Sequence, residues 1–386
     1  MVAQTLLVLS LTKSGVALGL LTAFQFGPVL VLGAWAGAVA DRADKRRLLL
    51  IVQSLALAQS AALGVLVLAG LANVGVIYAL AALQGILTAF DNPARRSFVV
   101  EMVADEDLPN AVSLNSAVMT GSRVLGPALA GALVVTVGYG WPFIIDAVSY
   151  VAVIAGLALM RPSELNRSVP ARRGKGQVRE GLRYISSEPM LRVPLVMMTV
   201  IGTLAFNFSV SIPLMVQGPL RGSDSAFTIL LSVVSVGSLV GALGTARRTT
   251  AGGKQVVSGA TLFGVAMLML AFAPTLMWAL VVAPLLGLSS ILFLTSSTAT
   301  VQLLADPAYR GRVLAIQAMV FLGSTPIGGP LIGWLSDVHG PRSAVALGGV
   351  ACLAAATYGH RSLSLLEPEP DLVAGGPDLA QVPGCS

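Results

Sequence analysis

The sequence predicts an all-α membrane protein, and three observations carry that expectation. Of 386 residues, 55% are hydrophobic and only 11% are charged, a balance that the surface of a water-soluble fold of this size does not sustain. Apolar runs recur along nearly the whole chain, each close to the ~20 residues a helix needs to cross ~30 Å of hydrocarbon. Basic residues crowd between alternate runs and avoid the others. A membrane β-barrel would instead show ~10-residue segments of alternating polarity, and the sequence displays no such segments.

Taken in order, the stretch Met1 to Thr12 is apolar but extends only ~18 Å as a helix, too short to cross. It reads as the second half of a first span whose beginning is missing. No basic residue precedes it and no cleavage site follows, so a signal peptide is the weaker reading. Eleven full spans follow, bounded by charge or by Pro and Gly, at residues 16–40, 48–71, 74–90, 109–137, 141–160, 193–217, 225–246, 256–273, 275–303, 313–335 and 341–360. This divides the chain into an N-terminal transmembrane bundle (1–160), a linker with an amphipathic helix (161–192), a C-terminal transmembrane bundle (193–360) and a disordered tail (361–386) rich in Pro, Gly and acid. Within the linker, Val178 to Ser187 is expected to lie on the membrane surface with its basic residues toward lipid head groups.

The distribution of positive charge sets the orientation. Arg42, Lys45, Arg46, Arg47, Arg95, Arg96, the arginines and lysine of the central loop, Arg247, Arg248, Lys254, Arg310, Arg312 and Arg361 all fall on one side, whereas the other side has Lys13, Arg221 and Arg342. The positive-inside rule then puts the central loop and the C-terminus in the cytoplasm of a bacterial cell, with the spans in its inner membrane. The net charge of +6 reports topology, so no nucleic-acid partner is expected. Cys352 and Cys385 form no disulfide framework or ligand spacing, and His339 and His360 are far apart. Neither a metal nor a cofactor is expected, and Gly252-Gly-Lys254-Gln lacks the Ser/Thr and the earlier glycine of a phosphate-binding loop.

The two halves echo each other. Gly126, Gly131 and Gly138 match Gly328, Gly333 and Gly340 at one constant offset, Asn110-Ala-Val-Ser-Leu-Asn115 faces Arg312-Val-Leu-Ala-Ile-Gln317, and Gly33 and Gly37 align with Gly237 and Gly241. Between the second and third spans stands Gly37-Ala-Val-Ala-Asp41-Arg42-Ala-Asp44-Lys45-Arg46. Two such halves, a basic central loop and this charged link resemble the major facilitator superfamily over the whole chain except its tail and its incomplete start. Asp91-Asn-Pro-Ala-Arg-Arg-Ser-Phe, Asn110-Ala-Val-Ser-Leu-Asn, Arg123-Val-Leu-Gly-Pro-Ala-Leu-Ala-Gly131 and Gly311-Arg-Val are similar to its enterobactin-exporter and macrolide-efflux branch.

That resemblance implies two bundles of six helices and a secondary transporter rather than an enzyme. It implies that Gly37, Asp41, Arg42, Lys45 and Arg46 form a cytoplasmic gate motif, in which Asp41 meets the N-terminus of the eleventh helix while Gly37 lets helices approach. Asp44 replaces the motif's usual glycine. Gly126, Pro127 and Gly131 resemble the antiporter motif without its doubled glycine, and Ala81 stands where drug antiporters often carry an arginine before Gln84-Gly85. Arg123 and Asp146, the charges read as lying well inside spans, are candidates for substrate or proton binding. Gln25, Asn115, Asn207 and Gln317 are candidates to line a central cavity, each weighed against an ordinary packing role. The expected activity is export of a small amphipathic compound (a drug, macrolide or siderophore type) by a monomer, through alternating access coupled to protons. A nutrient importer of the same fold and a non-transporting copy are the alternative readings.

Overall fold

In lipid the backbone has no hydrogen-bond partner but itself, so each apolar run closes into a helix. The computed structural model of this chain describes residues 1–104, 106–166, 177–246, 252–306 and 309–364. The tail beyond 364 and most of the basic stretch of the central loop lie outside those residues, as does the side chain of Arg123. The first group of helices is α1 (Val2–Thr12), α2 (Gly15–Arg42), α3 (Lys45–Leu68), α4 (Val74–Glu101), α5 (Leu108–Val137) and α6 (Trp141–Leu159). After the short α7 (Gln177–Ser187) come α8 (Pro189–Leu204), α9 (Phe208–Gln217), α10 (Asp224–Ala246), α11 (Gly253–Ala271), α12 (Leu276–Leu304), α13 (Arg310–His339) and α14 (Pro341–Ser364).

Among the described residues, ten helical segments are long and apolar enough to cross a membrane, with α8 and α9 counted as one segment, Pro189–Gln217. α1 and the Leu125–Val137 part of α5 are shorter apolar stretches. Three expected boundaries shift. The third full span does not stop at residue 90: α4 continues through Pro93 to Glu101, so Asp91, Arg95 and Arg96 sit on the helix rather than in a loop. The span expected at 193–217 starts earlier, at Pro189, and is interrupted at Ala205–Asn207, where Asn207 becomes the N-cap of α9. The charged link is also shorter than expected, because Asp41 and Arg42 form the last turn of α2.

Sequence chemistry explains the starts of these helices. Ser14, Asp44, Asn73 and Thr275 each accept a hydrogen bond from the backbone N–H three residues on, opening α2, α3, α4 and α12. Asp44, the departure from the family's glycine, is therefore the cap of α3, accepting from Arg47 N at 3.0 Å.

Helices α2, α3, α4 and α6 pack together, as do α8, α10, α11, α12 and α14, and the two sets meet along α2 against α13 and α5 against α10. α7 has Arg179 and Arg183 exposed. Its apolar face is spent on protein: Ile185 is buried in a cluster with Leu191, Leu195, Val301, Val313 and Ile316. Glu180 bonds Arg312 at 3.1 Å, and Tyr184 stacks on Tyr309 with centroids 4.5 Å apart. These contacts tie α7 to the first turns of α13.

Candidate functional site

The two helix sets face each other along α2, α5, α10 and α13, and the character of that seam changes along its length. At the end away from the basic loops, α2 and α13 touch backbone to backbone. A Cβ on Gly19 would lie 2.5 Å from Gly329 O, and Gly15 and Gly333 each press on the other's carbonyl oxygen. Glycine is required there because any side chain would wedge the helices apart.

That contact is sealed by a carboxylate. Asp337, near the C-terminal end of α13, accepts from Ser14 Oγ at 2.7 Å, Gly15 N at 2.6 Å and Val16 N at 3.0 Å. It thereby satisfies free N–H groups at the start of α2 and places negative charge at the positive end of that helix dipole. A second link joins α5 and α6 to α10: Tyr139 donates to Asp224 Oδ2 at 2.6 Å, and Gln217 Nε2 donates to Asp224 Oδ1, also at 2.6 Å. Burial and the neighbouring Asp224 push the Tyr139 phenol up to about 12. A raised phenol value favours the neutral donor, so this link holds below the ordinary phenol value near 10 and weakens only as pH climbs toward the folded value. A pocket of about 750 Å³ opens at the same end, with Ser10, Lys13, Asp224, Ser336 and Asp337 in its wall.

Toward the basic end the crowding stops. The last tight glycine on the α2–α13 line is Gly323, facing Leu30, whereas Gly33, Gly244 and Gly311, nearer the basic end, meet nothing within 4 Å. Leu114 and Val118 on α5 are 65% and 60% exposed. Of the antiporter-like motif, only Gly131 is crowded, against Thr228 of α10, and Pro127 lies inside α5.

Two basic residues of the charged link, Lys45 and Arg46, bond within the first set. Lys45 pairs with Glu101 at 2.5 Å, both side chains 7% exposed, which ties α3 to α4. Arg46 donates to Leu157 O at 2.7 Å and Ala158 O at 2.8 Å, closing the C-terminal end of α6. Gly37 is buried in α2, and Asp41 and Arg42 complete that helix.

The cavity candidates divide. Gln25 donates to Gln4 Oε1 at 2.7 Å, is 8% exposed and keeps its own Oε1 without a partner among the described residues. Asn207 donates to Thr203 O at 2.7 Å, with Oδ1 unpartnered, and so serves the α8–α9 break. Gln317 bridges α13 to α12 through Thr298 at 3.3 Å. Asn115 is partly exposed on α5. Asp146 accepts from Ser60 Oγ at 2.8 Å, and its pairing with Arg123 lies outside the described residues.

Sequence reasoning missed Asp337, Asp224, Glu101 and Asp91. Asp337 follows directly on the apolar run that ended the expected span, and its partners are 321 to 323 residues distant, so no local pattern could reveal it. Asp91 accepts from Gln53 Nε2 at 2.8 Å and pairs with Arg95 at 3.1 Å. The Asp-Asn-Pro sequence there resembled a loop.

Residues 1–374 match the family model described as "Transmembrane secretion effector". The chain belongs to this family of major facilitator transporters. It is similar to the staphyloferrin A transporter of Staphylococcus aureus, 26% identical over 355 residues, covering 90% of this chain and 87% of the relative. The multidrug efflux pump Tap of Mycolicibacterium fortuitum is 27% identical over 328 residues, covering 81% and 79%. Among solved structures, a mutant of the nucleoside transporter NupG superposes with a TM-score of 0.75 at 11% identity, covering 94% of each chain. A bacterial homolog of the human lysosomal transporter Spinster, inward-facing and occupied, gives 0.70 at 15% identity, covering 94% and 92%. The fold is thus the all-α major facilitator fold, and the chain is a multi-pass membrane transporter of small molecules rather than an enzyme.

Removing the Asp337 charge tests the seal. Asp337→Asn keeps the size of the side chain but loses charge-assisted acceptance, which costs ~1 kcal/mol at this exposed position. Thiol-reactive probes should label Thr22→Cys, 2% exposed against Gly329, about fivefold faster in the Asp337→Asn background than with Asp337 present; equal rates would show that the carboxylate does not hold this end shut.

Proposed function

We propose that this protein is a secondary exporter that carries a small amphipathic compound out of the bacterial cell across its inner membrane. Its two helix sets rock about a site between them, one end opening as the other closes, in exchange for protons. The basic loops and the C-terminus face the cytoplasm by the positive-inside rule.

The observation that carries this reading is the unequal seam. Asp337 and the Gly15/Gly333 contact join the sets at one end, while Gly33, Gly244 and Gly311 meet nothing toward the other. With the basic end in the cytoplasm, this is the form that loads substrate from inside. The gate motif supplies the opposite state: Asp41 would seat at the N-terminal end of α13 when the basic end closes, as Asp337 seats on α2 now. The printed names of two relatives, a siderophore transporter and a drug efflux pump, support a bulky, partly apolar cargo. So does a seam with few charges.

The test is retention of dyes, macrolides and catechol siderophores in an exporter-deficient bacterium, with and without an uncoupler. One compound should be lost in an uncoupler-sensitive manner, and Asp41→Asn should reduce that loss by about tenfold. Accumulation of the compound above the control cells would show import, and no movement of any compound by well-expressed protein would overturn the transport reading of these probes' class.

A further inference from the structure

The first helix set contains a half-buried carboxylate that the seam does not use. Asp91 lies 17 residues, ~26 Å, along α4 from Val74, toward the basic end of the helix. Its side chain is 15% exposed, and its ion-pair partner Arg95, one turn on, is 49% exposed. From α3, Gln53 donates Nε2 to Asp91 Oδ1 at 2.8 Å. Gln53 is itself 8% exposed, and its Oε1 has no hydrogen-bond partner among the described residues. From α6, Tyr150 lies within electrostatic reach of Asp91, Asp146 and Arg95; α2 brings the aromatic edge of Trp35 against Phe90.

An ionised carboxylate largely withdrawn from water is expensive, and its presence calls for a function or a full set of partners. Here the partners are incomplete in an informative way. A carboxylate only accepts, and a primary amide both donates and accepts. With Asp91 ionised, the Gln53 N–H₂ group serves it and the amide oxygen is idle. With Asp91 protonated, a half-turn of the same amide would let the idle Oε1 accept the new O–H. Arg95, half in solvent, can leave the pair without being stranded.

We infer that Asp91 takes up the coupling proton of the transport cycle, with Gln53 as the partner that serves both protonation states. The inference rests on the proton-coupled reading above and names its site. Proton binding forms one O–H bond on the carboxylate, releases Arg95 toward water and leaves α3 and α4 linked through Gln53. Loss of the proton restores the present arrangement.

The experiment uses the full chain in proteoliposomes, with the compound identified by the efflux screen. Asp91→Asn should cut accumulation driven by an imposed proton gradient by about tenfold, yet keep exchange of labelled for unlabelled compound when no gradient is applied. Undiminished gradient-driven accumulation by Asp91→Asn would overturn the assignment, and so would equal loss of both activities in a well-folded protein. A second readout needs no substrate: infrared titration of the unaltered chain should show a protonated-carboxyl band that Gln53→Leu shifts and that Asp91→Asn, where it folds, removes. An unchanged band in Gln53→Leu would contradict the paired site even if Asp91→Asn does not fold. If no compound is exported but the band behaves as stated, the exporter reading fails while Asp91 remains the proton site.

Discussion

Gly333→Val should lower export by roughly 5- to 150-fold while leaving the protein inserted in the membrane and monodisperse. Gly333 and Gly15 press backbone against backbone, with each one's added Cβ running into the other's carbonyl oxygen. Backbone cannot rotate away as a side chain can, so the branched residue must push α13 off α2. Overpacking of this kind costs ~1–3 kcal/mol, and the whole cost falls on the one state in which these helices meet. Valine is at home in a lipid-facing helix, so insertion is spared. The control is Gly156→Val on α6, an exposed position away from the seam where nothing lies within 4 Å; it should export at close to the unaltered rate. Equal rates for the two variants, each corrected for expression, would remove the seam from the mechanism.

Glu101→Ala should destabilise the folded protein by ~3–5 kcal/mol, the cost of breaking a buried ion pair from one side. Lys45 is 6% exposed, and its ammonium meets the Glu101 carboxylate at 2.5 Å. Without the carboxylate, that buried ammonium loses its Glu101 counter-charge at the junction of α3 and α4. Replacing both partners, as in Lys45→Met with Glu101→Leu, removes charge and countercharge together and should recover most of the loss. Thermal unfolding in detergent measures all three proteins. A single variant as stable as the starting protein would mean that water reaches Lys45 and the pair is a surface pair of little weight.

The way Lys45 behaves also marks where sequence reading reaches its limit. Its position in the loop motif, and that of Arg46, were legible as charge at a membrane face, because topology follows from composition and spacing. What they bond was not: Glu101 lies 56 residues away and Leu157 lies 111 away. The spans themselves were readable because hydropathy acts locally, and most helices fall within a few residues of expectation. α4 ran on past Asp91-Asn-Pro93 because tertiary partners, Gln53 and Arg95, satisfy what looked like a break. Conversely, the chain breaks at Ala205–Asn207 within an apolar run that carries no glycine or proline at that point, because Asn207 turns its amide back on Thr203. Asp337 was invisible for the same reason as Glu101: its meaning is its partner, the start of α2.

Distances measured across both ends at once test the account most directly. With Cys352→Ala and Cys385→Ser as background, one spin-label pair at Leu71→Cys and Met277→Cys spans the end sealed by Asp337, and another at Met102→Cys and Leu304→Cys spans the basic end. All four positions are on exposed residues, 67%, 70%, 41% and 42% respectively. Two helix sets that close one end at a time predict opposite movements when substrate and a proton gradient are applied: the Leu71–Met277 distance lengthens as the Met102–Leu304 distance shortens. Two distances that stay fixed, or that grow together, would contradict it.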